Sequence, residues 1–452
     1  MSTARWSSGL GFYLATIGAA VGLGSIWRFP YLVGTQGGSA FILIFVVACV
    51  MIAIPMLVAE FLIGRRARLN PAQAAGAVAE AAGRSRAWNA IGVLGTLATF
   101  VVISYYTIIA GWVLAYAWRC AIGELNGLDT QRLAVEWRGF LSDPWAMGAW
   151  HLAFLALLGL ISGRGVVRGL EVVNRWRAPV LLGLLVLLVG YALATGDVAR
   201  GLSFAFQPDF ARIDGEVALT AIGQAFYATG VGMAMMIAYG AYAPADSSLL
   251  RSATLTVVSI LIVSLLATLI VFPLVFRFGM DPAQGPDLVF NVLPAAFALM
   301  PGGQLVGTVF FVLLVVAALT PSVAGIESVV AWSEQRLRLS RRAAVAATLA
   351  AMWALGLLSL LSFNLLAGWH PLGGIERFAG RTWFDLADYI TANLMLPIGA
   401  LLTAVFVGWR LPRAVFDESL PQSGPRVRAA VLWTLRLACP VAIGTVFLAA
   451  LT

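Results

Sequence analysis

Eleven apolar stretches, each long enough to cross a bilayer as a helix, take up most of this chain. They run over about 10–32, 39–64, 88–118, 147–163, 172–195, 217–243, 249–278, 302–335, 341–361, 384–408 and 427–451. The bilayer core offers no water to backbone N–H and C=O groups, so a chain that crosses it this often folds as a bundle of helices. The 452 residues are 61% hydrophobic and 11% charged, which excludes an ordinary soluble domain. The net charge of +8 comes wholly from arginine, as the sequence holds no lysine. Arginines gather at 65–68, 84–86, 164–177, 336–342 and 410–428, in alternate loops. This positive-inside pattern explains the charge without a nucleic-acid partner and puts the N-terminus on the cytoplasmic side. The first stretch runs on into further helices without a cleavage site, unlike a signal peptide. The chain has no Asn-x-Ser/Thr acceptor, as fits a multi-pass protein of a bacterial inner membrane.

Two of the eleven stretches are broken. The first contains Gly18, Gly22 and Gly24, so a helix there is expected to open around Ala20 to Gly24, with Arg28 just beyond. The sixth contains Gly230 and Gly232 and is expected to open around Ala228 to Gly232. Backbone groups freed at membrane depth must bond to protein, water or a ligand. Paired glycine-interrupted spans in two halves point to an inverted-repeat transporter with its site at the midplane. The expected layout is a single domain over 1–452: repeat one at about 10–195, repeat two at about 217–408, and an extra helix at about 427–451. The partly apolar segment 279–301 reads as a re-entrant cap on the outer face. Cys49, Cys120 and Cys439 have no disulfide or metal spacing, and His151 and His370 lie far apart. With no nucleophile, metal cluster or cofactor loop standing out, an enzyme is not expected.

The sequence resembles the neurotransmitter:sodium symporter family, especially its short bacterial amino-acid members. The resemblance rests on Gly22-Leu23-Gly24 with Trp27-Arg28-Phe29-Pro30, and on Ile54-Pro55 with Glu60-Phe61 and Gly64-Arg65. Tyr105-Tyr106, Gly223-Gln224-Ala225-Phe226, Tyr239-Gly240-Ala241-Tyr242, Leu319-Thr320 and Leu339-Ser340-Arg341 support it. It implies an all-α polytopic membrane protein of the leucine-transporter fold, with a five-plus-five inverted repeat and broken helices one and six. It also implies import of an amino acid by alternating access, coupled to sodium. Gly169 and Pro179 match the family's Gly-x9-Pro element, which lets span five unwind as a hinge.

The family pattern puts the solute between spans one, three, six and eight. The amides of Leu23 and Gly24 and the hydroxyl of Tyr106 would take a substrate carboxylate, at a half-helix N-terminus. Carbonyls of Ala20, Tyr227 and Ala228 would take the ammonium. Ala19, Val102, Phe226, Tyr227, Met233, Pro321 and Gly325 would surround the side chain. Gly22 stands where monoamine-type relatives carry an acid, which favours an amino-acid substrate. Gly230 and Gly325 are small where many relatives are larger, so a roomy pocket for an apolar or aromatic side chain is expected.

The ion ligands depart from the pattern. The first sodium position would use Ala20, Ser25, Ala228 and Ser259, with weakened side-chain ligands. The second would use Gly18, Val21, Ala317 and Thr320, but Pro321 replaces a hydroxyl residue and Ser322 is the available substitute. Sodium remains the expected ion. Chloride is not expected, since Phe45 replaces a tyrosine hydroxyl, although Gln224 and Ser264 are present. Arg28 is expected to pair with Asp388, or else with Asp385, over an apolar lid at Phe226. At the other end Trp6 and Tyr242 match latch residues, with Arg5–Glu334 as the expected ion pair. Glu60, an acid inside a span, is expected to bond freed amides rather than carry protons. The alternatives are a proton-coupled or ion-independent transporter, and a non-transporting solute sensor of the same fold.

Overall fold

A computed structural model describes residues 6, 8–165, 172–207, 209–283 and 288–451. Among them there is no strand. Nine helices are each long and apolar enough to cross a membrane: Ser39–Ala67, Arg86–Ala121, Pro144–Ser162, Arg177–Thr195, Leu249–Arg277, Gly303–Leu337, Arg341–Leu361, Trp383–Arg410 and Pro425–Ala450. A bent pair, Gly9–Ala20 and Gly24–Thr35, makes a tenth and is span one. Gly215–Thr229 and Met235–Ala241, each too short alone, stand where the sixth span was expected. The spans keep their sequence order below, so span three is Arg86–Ala121, span five Val172–Thr195 and span eight Gly303–Leu337.

Both breaks fall at the glycines. Span one stops after Ala20, Val21 takes an extended conformation, and the chain restarts as a helix bent by 52° from the first half. In span six, Gly230 and Gly232 adopt φ +65 and +85, which an L side chain rarely tolerates. Ala234 follows at φ 56 and caps the second half-helix. A left-handed alanine carries strain that glycine does not.

Glycine also lets spans two and six touch backbone to backbone. A Cβ on Gly64 would stand 2.0 Å from the carbonyl oxygen of Ile237, and one on Gly240 would stand 2.7 Å from that of Phe61. No side chain separates these helices there.

The connecting segments are more structured than their composition suggests. The mixed stretch after span three folds into a helix, Thr130–Ser142, that buries Leu133, Trp137 and Phe140. Its Trp137 stacks on Phe290 at 4.8 Å between ring centroids. Phe290 belongs to the short apolar helix Leu288–Ala298, which falls in the segment expected as a cap. This helix reaches both span three, through Trp112 and Tyr116, and the second half of span one, through Trp27.

Two substitutions test these backbone features by thermal unfolding in detergent. Ala234→Gly is expected to raise stability by about 1 kcal/mol by relieving the left-handed alanine. Gly64→Ala is expected to lower it by roughly 1–3 kcal/mol, because the added methyl overlaps a backbone oxygen that cannot turn aside.

Candidate functional site

The two breaks face each other around a cavity of about 40 Å³, which span three and Pro321 complete. That is room for a few water molecules. Twelve of the fourteen residues expected around a substrate line it; Phe226 and Gly325 do not. Leu23 donates its N–H to the Tyr106 hydroxyl at 3.4 Å. The Leu23 amide opens the second half-helix of span one, where the backbone dipole favours negative charge. A Cβ on Gly22 would lie 2.7 Å from the Pro321 ring and 3.3 Å from the Tyr106 oxygen. Any side chain at 22 would therefore strike the wall of the cavity.

The expected roominess at the two small glycines is corrected by their neighbours. A Cβ on Gly230 would come within 2.5 Å of the Met235 methyl group, so methionine fills that space. Gly325 faces span three instead, where a Cβ would meet Ile103 at 2.6 Å. Its smallness serves close packing of spans three and eight. Ile103 and Met235 both line the cavity and were missed in the sequence, since nothing in a helical pattern reports which long side chain bends into a neighbouring gap.

A second cavity, of about 440 Å³, lies on the far side of Tyr227. Arg28, Glu216, Gln224, Phe226 and Asn393 are among its walls. Tyr227 lines both cavities, and the Arg28 guanidinium stands 4.2 Å above its ring. Tyr227 thus stands between the two cavities, and Phe226 lines only the larger one. Adjacent helix positions point about 100° apart, so one residue decides the matter.

Among the described residues Arg28 forms no ion pair with Asp388 or Asp385 in this conformation; the expected pair is one that forms when the outer path closes. Asp388 accepts from the Tyr105 hydroxyl at 3.1 Å. Asp385 is held by the Thr382 capping box at the start of its helix. Each carboxylate thus has a local hydrogen-bond donor.

Glu60, 1% exposed, accepts from the Gly232 amide at 2.8 Å. It satisfies a donor freed by the break in span six, as its sequence position suggested.

The cation positions differ from each other. Near the first, Ala20 and Ala228 line the cavity, and the Ser25 hydroxyl is fully buried with no hydrogen-bond partner. Ser259 is half-buried on span seven. At the second, the carbonyls of Gly18 and Val21 accept from Arg177, Nη1 at 2.9 Å and Nη2 at 3.0 Å. Two carbonyls expected as sodium ligands there thus already accept from a guanidinium. Thr320 reaches only its own helix, at 3.5 Å from the Val316 oxygen, and Ser322 donates to Ala318 at 2.9 Å. The Ala317 oxygen lies beside Gly22. In the sequence Arg177 sits among the arginines assigned to a cytoplasmic loop, but it is 7% exposed inside the bundle. Its nearness to Pro179, within an apolar span, was the available signal. Pro179 stands inside the helix Val172–Thr195, while Gly169 lies outside the described residues.

At the end of the bundle near Trp6, polar bonds join several spans. Trp6 is buried against Tyr239 and Tyr242, and its backbone N–H donates to the Tyr242 oxygen at 3.2 Å. Tyr242 donates its hydroxyl to Glu327 at 3.0 Å, and Glu327 pairs with Arg341 at 2.6 Å. Glu334 also pairs with Arg341, at 3.4 Å. Its expected partner Arg5 lies outside the described residues. Glu327, 1% exposed, was overlooked although an acid inside an apolar span is itself a signal.

Comparisons with known proteins fit this geometry. Residues 3–133 and 142–452 match the model of the sodium:neurotransmitter symporter family. An uncharacterised sodium-dependent transporter of Bacillus subtilis, YhdH, is 37% identical over 98% of this chain and 97% of its own length. An uncharacterised sodium-dependent transporter of Haemophilus influenzae is 32% identical over 90% of this chain and 89% of its own. The crystal structure of MhsT in complex with L-phenylalanine matches with a TM-score of 0.90 at 35% identity, covering 99% of this chain and all of that one. The chain belongs to the sodium:neurotransmitter symporter family, a family of sodium-dependent membrane transporters rather than enzymes, and has the leucine-transporter fold.

Proposed function

We propose that the chain imports an apolar amino acid together with sodium, by alternating access across the cell membrane of a bacterium. The observation that carries this reading is the Leu23 amide beside the Tyr106 hydroxyl at 3.4 Å, in a cavity whose other side chains are almost all apolar. The pair offers hydrogen-bond donors to a carboxylate at a half-helix N-terminus. Carbonyls of Ala20, Tyr227 and Ala228 are the acceptors proposed for the ammonium. Gly22 admits no acid to attract a ligand without a carboxylate. The likeness to MhsT, solved with phenylalanine, supports an apolar or aromatic side chain.

The buried, unpartnered Ser25 hydroxyl supports sodium at the first position, next to the substrate carboxylate. Chloride has no part in the proposal, because Phe45 is packed against Phe29 with ring centroids 4.6 Å apart. Tyr227 and Arg28 are proposed as the lid toward the outside. Trp6, Tyr242, Glu327 and Arg341 are proposed as the closed cytoplasmic end, which the alternate arginine-rich loops support. Movement would pass between two five-span repeats, about 10–195 and 217–408, with the helix at about 427–451 apart from them.

Uptake of radiolabelled phenylalanine and leucine into proteoliposomes tests the proposal, with an inward sodium gradient or with choline in its place. Accumulation is expected with sodium. Absence of both uptake and ligand-induced thermal stabilisation, for every apolar amino acid tried, would refute the reading. Tyr106→Phe is expected to weaken the transported amino acid by about tenfold or more, the worth of a hydrogen bond to a charged group. Met235→Ala opens the space beside Gly230. It is expected to shift competition against labelled phenylalanine toward tryptophan and away from alanine by about tenfold.

A further inference from the structure

Arg177 is a charged side chain in an unusual setting. It is 7% exposed within an apolar bundle. Its two terminal nitrogens donate to Gly18 and Val21, and Nε has no partner. Among the described residues no carboxylate lies within ion-pair distance of it. Among the described residues its hydrogen bonds go to two backbone oxygens.

Those oxygens are special. Gly18 closes the last turn of the first half of span one, and Val21 is the residue at which that half ends. The carbonyls at a helix C-terminus lack intrahelical partners and carry the negative end of the dipole. At a broken membrane helix such carbonyls are ligands for an alkali cation. The guanidinium is a planar cation with forked donors, permanently charged, and it reaches two oxygens three residues apart. It therefore meets the electrostatic demand of the helix end without an ion from solution. A sodium ion on the same two oxygens would stand against a like charge and would have to displace the fork. The surrounding residues favour the arginine as well. Pro321 supplies no hydroxyl, and the hydroxyls of Thr320 and Ser322 turn to carbonyls of their own helix.

We infer that Arg177 is the resident cation of the second cation position, so that each amino acid travels with sodium at the first position only. This rests on the transport reading and refines its ion coupling. The arginine is tethered to span five two residues before Pro179, where the helix lacks one backbone bond. Loosening of that turn withdraws the charge and frees the C-terminal end of the first half-helix. A covalently held cation performs the electrostatic part of an ion's departure while no ion crosses.

The test uses the full chain in two measurements, each with sodium chloride exchanged for choline chloride at constant ionic strength. The first is the thermal unfolding midpoint without any amino acid, and the second is the sodium dependence of phenylalanine uptake. For the native protein a hyperbolic sodium response is expected in uptake. Arg177→Gln removes the charge and exposes both carbonyls. It is expected to add a sodium-dependent rise in unfolding midpoint beyond that of the native protein, and to make uptake sigmoidal in sodium. Arg177→Lys, with the charge on a shorter stem, is expected to keep the hyperbolic form. A sigmoidal response in the native protein overturns the inference, as does an Arg177→Gln variant whose sodium-dependent stabilisation equals the native one. Should Arg177→Gln fail to fold, the native titration and Arg177→Lys still decide. If phenylalanine is not transported, the unfolding measurement decides without it, which separates failure of the ion assignment from failure of the transport reading.

Discussion

Every polar group of the backbone that two broken helices release must find a partner away from water, and the centre of this protein is arranged to supply those partners. Glu60 takes the Gly232 amide. Tyr106 takes the Leu23 amide. Gln224 donates to the Gly24 oxygen at 2.8 Å. Arg177 donates to the oxygens of Gly18 and Val21. A buried amide or carbonyl left without a partner costs about 1–3 kcal/mol, so leaving these groups unpaired would use up the stability of a typical domain. Breaking the helices and burying these side chains are thus one decision made by the sequence.

The two breaks are satisfied by groups of opposite hydrogen-bonding sense. Glu60 accepts from one freed N–H group, that of Gly232, and the guanidinium of Arg177 donates to two freed C=O groups. The choice follows from which end of a half-helix is exposed, since N–H groups collect at one end and oxygens at the other. It also sets the chemistry left over for a solute. The Tyr106 hydroxyl accepts from the Leu23 amide and keeps its own proton to donate at the cavity, which Val102, Ile103, Met233 and Met235 also line. A ligand with one anionic end and an apolar body suits that division.

Much of this was legible in the sequence, because the governing signals are local. Apolar length placed the spans, and glycine placed the breaks within a residue or two. What was not legible depends on direction and reach. Phe226 and Tyr227 are adjacent and both aromatic, and only the helix phase decides which one stands between the cavities. Asp388 and Asp385 are placed by the sequence near Arg28, but their bonds to Tyr105 and Thr382 depend on how far those side chains reach. Arg177 was hidden by its company, being the last of a run of arginines that composition assigns to a loop. Met235 closes the gap left by Gly230 because an unbranched side chain adapts to irregular space, which no period reports.

The contact between spans two and six carries a mechanical consequence. Where side chains separate helices, rotamer changes can absorb a small slide. Where the Gly64 and Gly240 backbones lie against carbonyl oxygens, there is no such slack. In a transport cycle of the kind proposed, the short helix Met235–Ala241 would be expected to travel with the helix Ile54–Ala67 as one stiff piece. Any hinge in span six must lie before this joint, in the stretch where Gly230 and Gly232 already hold the chain out of helical form.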